Sequence, residues 1–247
     1  MQVGIKLWSS NPVKYVRDSD FADFIEVLPR SEKSLEKFAR RPHKYTVHVP
    51  HEAFGFCPLL NMKKSKKLLE HAIKAAKKLK TETLIMHTGY MRKAIDEKSM
   101  KDVIKSAAKL ARSANYGRIL IENGVPKGTF YVDKGRYYAC YSHEQIKEVL
   151  ELSGAGFCLD LEHAAITAHQ LGLNYRKHVA DLMRLKPEYF HLSGLRLASG
   201  GHHISIFDSD IDLSYVKSLL KKADKPVCLE TPIGIAQRKR EVAFLKQ

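Results

Sequence analysis

Six short hydrophobic runs of the sequence each end in a histidine, aspartate or glutamate. These are the side chains that bind zinc, manganese or iron in proteins. Taken singly, such a residue is well explained as a structural histidine or a helix-capping carboxylate. The joint pattern indicates a metal site, because several buried carboxylates are costly together unless a cation neutralises them. The six residues are His48, His87, Glu122, Asp160, His191 and Glu230.

Two further histidines enlarge this candidate ligand set to eight. His163 follows Asp160 in the motif CLDLEHA, and His202 lies in GHHIS. Four ligands hold one cation, whereas eight can support two or three cations with one carboxylate bridging. Closely spaced metals suit phosphoryl chemistry, and a single metal between two carboxylates suits proton transfer beside a sugar carbonyl. The residue types alone leave both chemistries open.

The candidate ligands share one rim if the hydrophobic runs are strands of a barrel. Eight β-rich runs alternate with helical segments, which predicts parallel strands joined by right-handed crossovers. Eight such units in 247 residues favour a single-domain (β/α)8 TIM barrel over residues 1–247, with its active site at the C-terminal face of the strands. The predicted strands are Val3–Leu7, Phe24–Leu28, Tyr45–Val49, Thr83–His87, Arg118–Glu122, Gly156–Asp160, Tyr189–Leu192 and Val227–Glu230.

Helical patterns fill most of the intervals, and three long connections lie on the predicted active rim. A capping box, Ser142 with Gln145, marks the start of one helix. The predicted helices are Ser31–Arg40, Met62–Leu79, Glu97–Ala114, Ser142–Leu152, Asn174–Leu185, Leu213–Lys222 and Gln237–Leu245. The long connections are Pro50–Asn61, Gly124–Tyr141 and Ser193–Asp212, which follow the third, fifth and seventh strands.

Composition excludes several other classes of protein. No hydrophobic run approaches the roughly 18–20 residues that span a bilayer, and the N-terminus lacks the pattern of a signal peptide. The four cysteines form no CxxC pair, which predicts reduced thiols and a cytoplasmic protein. The chain carries 42 Lys and Arg against 27 Asp and Glu, a formal net charge of +15. Much of this charge lies in Met62–Lys80, where a solvated helix face is favoured over a nucleic-acid footprint.

The motifs HVPH, MHTG, ILIENG, CLDLEHA, FHLSG, GHHIS and CLETP occur in this order over nearly the whole chain. In this the sequence resembles the xylose isomerase-like barrel superfamily. Within it, the chain looks most like the endonuclease IV branch, also called AP endonuclease family 2, whose members cut DNA at abasic sites with three zinc ions. The resemblance implies a metal-dependent hydrolase with two or three zinc ions, or with manganese in their place, acting in DNA repair.

The resemblance also assigns ligands to individual metals. His48, His87 and Glu122 match the first zinc site, and Glu122 bridges to a second metal held by Asp160, His191 and Glu230. His163 and His202 match two ligands of the third zinc. The remaining ligand of that site is an aspartate two residues before His202, where this chain has Gly200. The third site therefore depends on a substitute such as His203, Asp208 or Asp210.

Other departures keep a second function open. The endonuclease branch carries a tyrosine where this chain has His51, and Glu26 in DFIEVLP is more like the sugar isomerases. Glu122, Glu230 and His163 are the expected catalytic residues, while His51, Arg196 and His203 are expected to contact substrate. The first hypothesis is a phosphodiester hydrolase acting on abasic DNA or a small phosphate ester. The alternative is a single-metal sugar isomerase or epimerase, with Glu122 and Glu230 transferring protons.

Overall fold

Eight parallel strands close into a barrel in the computed structural model, which describes residues 1–94, 96–128 and 135–247. Each strand pairs with its two neighbours along the chain, and the first pairs with the last, which confirms the predicted (β/α)8 barrel. The strands are β1 Val3–Trp8, β2 Phe24–Leu28, β3 Lys44–His48, β4 Thr83–Met86, β5 Arg118–Glu122, β6 Gly156–Asp160, β7 Tyr189–Leu192 and β8 Val227–Leu229.

The helices pack outside the barrel, and several are capped by short polar side chains. The α5 helix begins after Ser142, whose side chain accepts a hydrogen bond from the Gln145 amide, as the capping box predicts. The helices are α1 Val13–Arg17, α2 Glu36–Ala39, α3 Met62–Leu79, α4 Glu97–Arg112, α5 His143–Ser153, α6 Leu161–Gln170, α7 Tyr175–Met183, α8 Leu213–Ala223 and α9 Ile235–Lys246. The sequence prediction omitted α1 and α6, and it made the segment before β3 one helix where the structure has a 3-10 turn followed by α2.

Side-chain alternation along the strands builds the floor of the site. A buried group of Phe24, Ile85, Leu120, Cys158, Tyr189 and Cys228 is separate from the main core between strands and helices. The Phe24 ring occupies the place that a Cβ of Gly4 would take, which explains the glycine in β1. Because strand side chains repeat every two residues, the next residues facing the same way lie two positions further along each strand. Those positions hold the candidate ligands.

Connections on the C-terminal side of the barrel carry two small ribbons. Tyr90–Met91 pairs with Tyr137–Tyr138, and Gly194–Arg196 pairs with Gly201–Ile204. The second ribbon lies within the predicted connection Ser193–Asp212. The connection Gly124–Tyr141 is described except for residues 129–134. All four cysteines are free and buried. Within the described chain, no helix is long and apolar enough to cross a membrane.

Candidate metal centre

A ring of charged and histidine side chains lies directly above the hydrophobic floor. Each of the eight strands contributes one residue to the ring, either its own residue or the one that directly follows the strand. Each ring residue comes two positions after the residue of the same strand that lies at the level of the floor. The five residues with the least exposure, Glu26, His48, Glu122, Asp160 and His191, are each at most 2 % exposed. The ring consists of Lys6, Glu26, His48, His87, Glu122, Asp160, His191 and Glu230.

Glu122 lies at the centre of this ring and faces two different pairs of histidines. Its Oε2 is 3.1 Å from His48 Nε2 and 2.9 Å from His87 Nε2. Its Oε1 is 3.3 Å from His191 Nδ1 and 3.4 Å from His163 Nδ1. A carboxylate whose two oxygens face separate groups of ligands has the geometry of a bridge between two cations.

Buried carboxylates orient two of these histidines from behind. Both oxygens of Glu52 lie 3.0 Å from His87 Nδ1, which leaves Nε2 directed at Glu122. Glu26 Oε2 lies 3.0 Å from His191 Nε2, so that Nδ1 faces Glu122 and Glu230. Carboxylate–histidine pairs of this kind fix the ring and its tautomer in metal sites, and they raise the basicity of the coordinating nitrogen.

Backbone carbonyl groups orient the rings of two other histidines, His48 and His163. His48 Nδ1 donates to the carbonyl oxygen of Val49 at 2.7 Å, and His163 Nδ1 donates to that of Asn123 at 2.8 Å. Asn123 also clamps the end of β6, since its side chain exchanges two hydrogen bonds with the backbone of Asp160. Asp160 Oδ1 caps α6 by accepting from the His163 amide. Asn123, which directly follows the candidate ligand Glu122, therefore positions two further candidate ligands, Asp160 and His163.

Lys6 places a positive charge inside the ring. Its Nζ is 2.6 Å from Glu230 Oε1 and 3.4 Å from Glu26 Oε1. Burial alone would lower the pKa of the Lys6 ammonium, but Glu230 and Glu26 raise it. The lysine therefore stays protonated and stabilises the ionised form of Glu230.

The electrostatics of the ring favour ionised carboxylates at its centre. Burial opposes the charge of Glu122, but His87 and His191 hold the pKa of this carboxyl well below its ordinary value. Burial likewise opposes the charge of His87, whose pKa is nevertheless raised well above the usual value by Glu122 and Glu52. Asp160 differs, because burial dominates and raises its pKa to about 6. Metal binding requires deprotonated ligands, so a cation held by His87 Nε2 would take the place of the proton on that nitrogen.

Beside the ring, Glu162 organises the two histidines of the second ribbon. Glu162 is 1 % exposed; its Oε1 is 3.1 Å from His202 Nδ1, and its Oε2 is 3.2 Å from His203 Nδ1. The Ser193 hydroxyl also donates to Glu162. Gly200 lies at the turn of this ribbon in open space, with φ +66°. Among the suggested substitutes for the missing aspartate, His203 lines the central cavity, whereas Asp208 and Asp210 are exposed.

A cavity of about 360 Å³ opens over the ring. It brings together most of the residues expected to act on substrate or metal, including His51. Burial lowers the pKa of His51 to about 3, so its imidazole is neutral. Arg196 is not brought in: its side chain is exposed, and its Nε donates to the Asp208 carbonyl oxygen at 3.1 Å. The predicted site residues lining the cavity are His51, His87, Glu122, His163, His202, His203 and Glu230.

The donor set suits divalent cations. In the described part of the chain, three overlapping groups place their ligand atoms within 4.8 Å of one another. His191 Nδ1 is buried and makes no hydrogen bond of normal geometry within these residues, as expected for a nitrogen that coordinates a cation. Ionised carboxylates packed this closely need positive charge beside them, which Lys6 and His87 supply and which a bound cation would also supply. The three groups are Glu26–His48–His191–Glu230, His48–His87–Glu122 and Glu122–Asp160–His163.

Sequence reasoning missed several residues that support the site. Lys6 was not noticed, and Glu26 was noted only as an isomerase-like residue without a place in the site. Both stand two positions after a residue at the barrel floor, Gly4 and Phe24, so strict two-residue alternation would have placed them in the ring. Glu52 begins a 3-10 turn after β3 and Glu162 lies in α6, and each is adjacent in sequence to a predicted site histidine. Their partners are set by the packing of separate crossovers, so no sequence spacing indicates them.

Comparison with known proteins places this chain in a family. Residues 13–247 match the family model of the xylose isomerase-like TIM barrel, and the chain belongs to that family. No curated protein sequence matches the chain significantly.

Solved structures of two functional classes share the fold. The endonuclease IV of Thermus thermophilus has 18 % sequence identity and a TM-score of 0.71, covering 100 % of this chain and 99 % of its own. The TTHB071 protein of the same organism, in a crystal soaked with ZnCl2, has the same identity and score, with 100 % and 97 % covered. An L-ribulose 3-epimerase has 16 % identity and a TM-score of 0.67, with 99 % and 91 % covered. At these identities the comparisons establish the fold and not the reaction.

Proposed function

We propose that this protein is a metal-dependent phosphoester hydrolase with at least two zinc ions, related in mechanism to endonuclease IV. The observation that carries the proposal is Glu122, whose Oε2 faces His48 and His87 while its Oε1 faces His191. A single-metal site would use only one oxygen of Glu122, so it does not explain why the other oxygen faces His48 and His87. When bound, closely spaced metals provide a nucleophile at neutral pH and neutralise charge on a phosphoryl group.

The residues take distinct roles in this proposal. His48, His87 and Glu122 would hold one ion, and Asp160, His191, Glu230 and the second oxygen of Glu122 would hold the other. His163 and His202, which line the cavity, would bind a third ion or the phosphate itself. The substrates to test are a DNA duplex with an abasic site and small phosphate esters.

Lys6 argues against a proton-transfer role for Glu230. A general acid or base needs a pKa near the working pH. The Lys6 ammonium, 2.6 Å away, stabilises the ionised carboxylate, and together with His191 it holds the pKa of Glu230 well below the ordinary value despite burial. Such a carboxylate is a good metal ligand and a poor proton carrier.

The experiment is elemental analysis with an activity assay on protein purified without chelator. We expect two or three zinc ions per chain and metal-dependent cleavage of an abasic duplex or of bis(nitrophenyl) phosphate. Glu122→Ala should lose metal and activity together. Full metal content in that variant would contradict the bridging role of Glu122.

A sugar isomerase or epimerase is the second candidate, favoured by the quartet of Glu122, Asp160, His191 and Glu230. His191 Nδ1 lies 2.9 Å from Glu230 Oε1 and 3.3 Å from Glu122 Oε1, close enough to share a single ion. One manganese ion per chain would support this candidate. Solvent deuterium should then enter a ketose at the carbon next to its carbonyl, and no exchange across a panel of ketoses would count against it.

A further inference from the structure

Arg136 lines the central cavity but belongs to neither the ligand ring nor the residues behind it. It directly precedes the strand Tyr137–Tyr138 of the first ribbon. Its guanidinium carbon lies 4.4 Å from the ring centroid of Tyr90, on the opposite strand of that ribbon. Stacking on an aromatic face holds the planar guanidinium in a defined orientation.

One end of this guanidinium is buried and lacks a partner. Arg136 Nη1 is inaccessible to solvent and makes no hydrogen bond with any residue the structure describes. The cavity wall carries several carboxylates, yet none in the described ranges lies within 4.0 Å of Arg136. Lys6, which also lines the wall, is already paired with Glu230. No carboxylate of the described residues neutralises the Arg136 guanidinium at the cavity wall, so its charge is available to an anion that enters the cavity.

We propose that Arg136 binds a non-reacting anionic group, a phosphate or carboxylate, of a small phosphoester substrate. This proposal rests on the proposed function, which places the reacting phosphate at the metal centre. The guanidinium fork matches two oxygens of either group. A cavity of about 360 Å³ has the size of small-molecule sites in other proteins. Arg136 thus takes the role for which the sequence suggested Arg196, whose side chain is turned away and held by the Asp208 carbonyl.

Binding can be measured without turnover, because Trp8 is the single tryptophan of the chain and lines the same cavity. Its fluorescence reports the Kd of three probes on the zinc-loaded protein. Propyl phosphate carries one anionic group, and the bisphosphate of propanediol carries a second phosphate. The phosphate ester of hydroxypropionate carries a carboxylate in its place. Calorimetry provides a second readout of the same three affinities.

We expect the second anionic group to strengthen binding about 10- to 100-fold, the value of a charge-assisted hydrogen bond. Arg136→Gln should remove this gain and leave the Kd of propyl phosphate unchanged, while Arg136→Lys should keep part of it. Arg41→Gln is the matched control, since Arg41 is exposed and precedes β3 at the other end of the barrel. The probe with the larger gain identifies phosphate or carboxylate as the preferred group.

Four results would overturn the proposal. The second group could add no affinity, Arg136→Gln could keep the gain, or that variant could weaken all three probes equally, as a purely structural role requires. An abasic duplex that displaces the probes more effectively than the bisphosphate would refute a small substrate. Failure of the proposed function would give a different result: propyl phosphate would bind equally well to the zinc-loaded protein, to the zinc-free protein and to Glu122→Ala.

Discussion

Replacing Glu52 by glutamine should weaken one metal site and spare the other. Both Glu52 oxygens lie 3.0 Å from His87 Nδ1, and the carboxylate is 5 % exposed. Glutamine keeps the shape of the side chain but removes the charge behind His87. A hydrogen bond to a charged group contributes about 1.5–3 kcal/mol, so zinc affinity at the His48–His87–Glu122 site should fall about 10- to 100-fold.

The assay is a zinc titration of metal-free protein in competition with a chromogenic chelator, which resolves two binding steps. Glu26→Gln is the complementary variant, because Glu26 lies behind His191 rather than His87. It should weaken the site that contains Asp160, His191 and Glu230. Glu188→Gln is the control: Glu188 is partly exposed, pairs with Arg118 and precedes β7 at the opposite end of the barrel.

If Glu52→Gln weakens only one zinc-binding step and Glu26→Gln weakens only the other, the two sites are separate and each has its own orienting carboxylate. If Glu52→Gln left both binding steps unchanged, Glu52 would have no part in metal binding. If Glu52→Gln and Glu26→Gln each weakened both steps equally, the two histidines would serve one site, and the argument for a binuclear centre would be wrong.

Two further outcomes follow from the same contacts. In the metal-free protein, burial opposes ionisation of Glu52, but His87 lowers the pKa of this carboxyl from 4.5 to about 2. This stabilisation, on the order of 3 kcal/mol, is present above about pH 4.5 and is lost as the pH falls towards 2. Urea unfolding against pH should show a shallower acid slope for Glu52→Gln, and an identical slope would contradict the pairing. Gly194→Ala should destabilise the protein by about 1–3 kcal/mol, because its Cβ would collide with the Ser205 carbonyl oxygen. Thermal unfolding measures this loss, and an unchanged Tm would show that the ribbon carrying His202 can shift freely.

The order of strands and the candidate ligands could be predicted because both depend on short-range patterns. Continuous hydrophobic runs mark strands buried on both faces, and their alternation with amphipathic segments specifies parallel crossovers. Six runs ended in ligand-type residues, and a closed barrel directs those ends to one rim. Helix α6 was missed because its buried, alanine-rich face lacks the polar stripe that marks an outer helix.

Contacts between crossovers could not be predicted, since they depend on how separate loops pack over the barrel. Glu52 reaches His87 across 35 residues, and Glu162 reaches His202 across 40, with no sequence period linking them. Arg196 and Arg136 show the same limit. Arg136 lies in the connection after β5 and Arg196 in the connection after β7, both at the C-terminal face of the barrel. Only the path of the ribbon in each connection decides which guanidinium lines the cavity.

The sequence thus specified the barrel, the rim and the candidate metal-ligand side chains, because strand periodicity and residue chemistry are local properties. The tertiary structure decided how those side chains are used: which oxygen of Glu122 faces which histidine, which carboxylate stands behind each ring, and where Lys6 places its charge. These depend on contacts of hydrogen-bond length between residues far apart in the chain, which are fixed when the eight strands close and their loops fold over the open end.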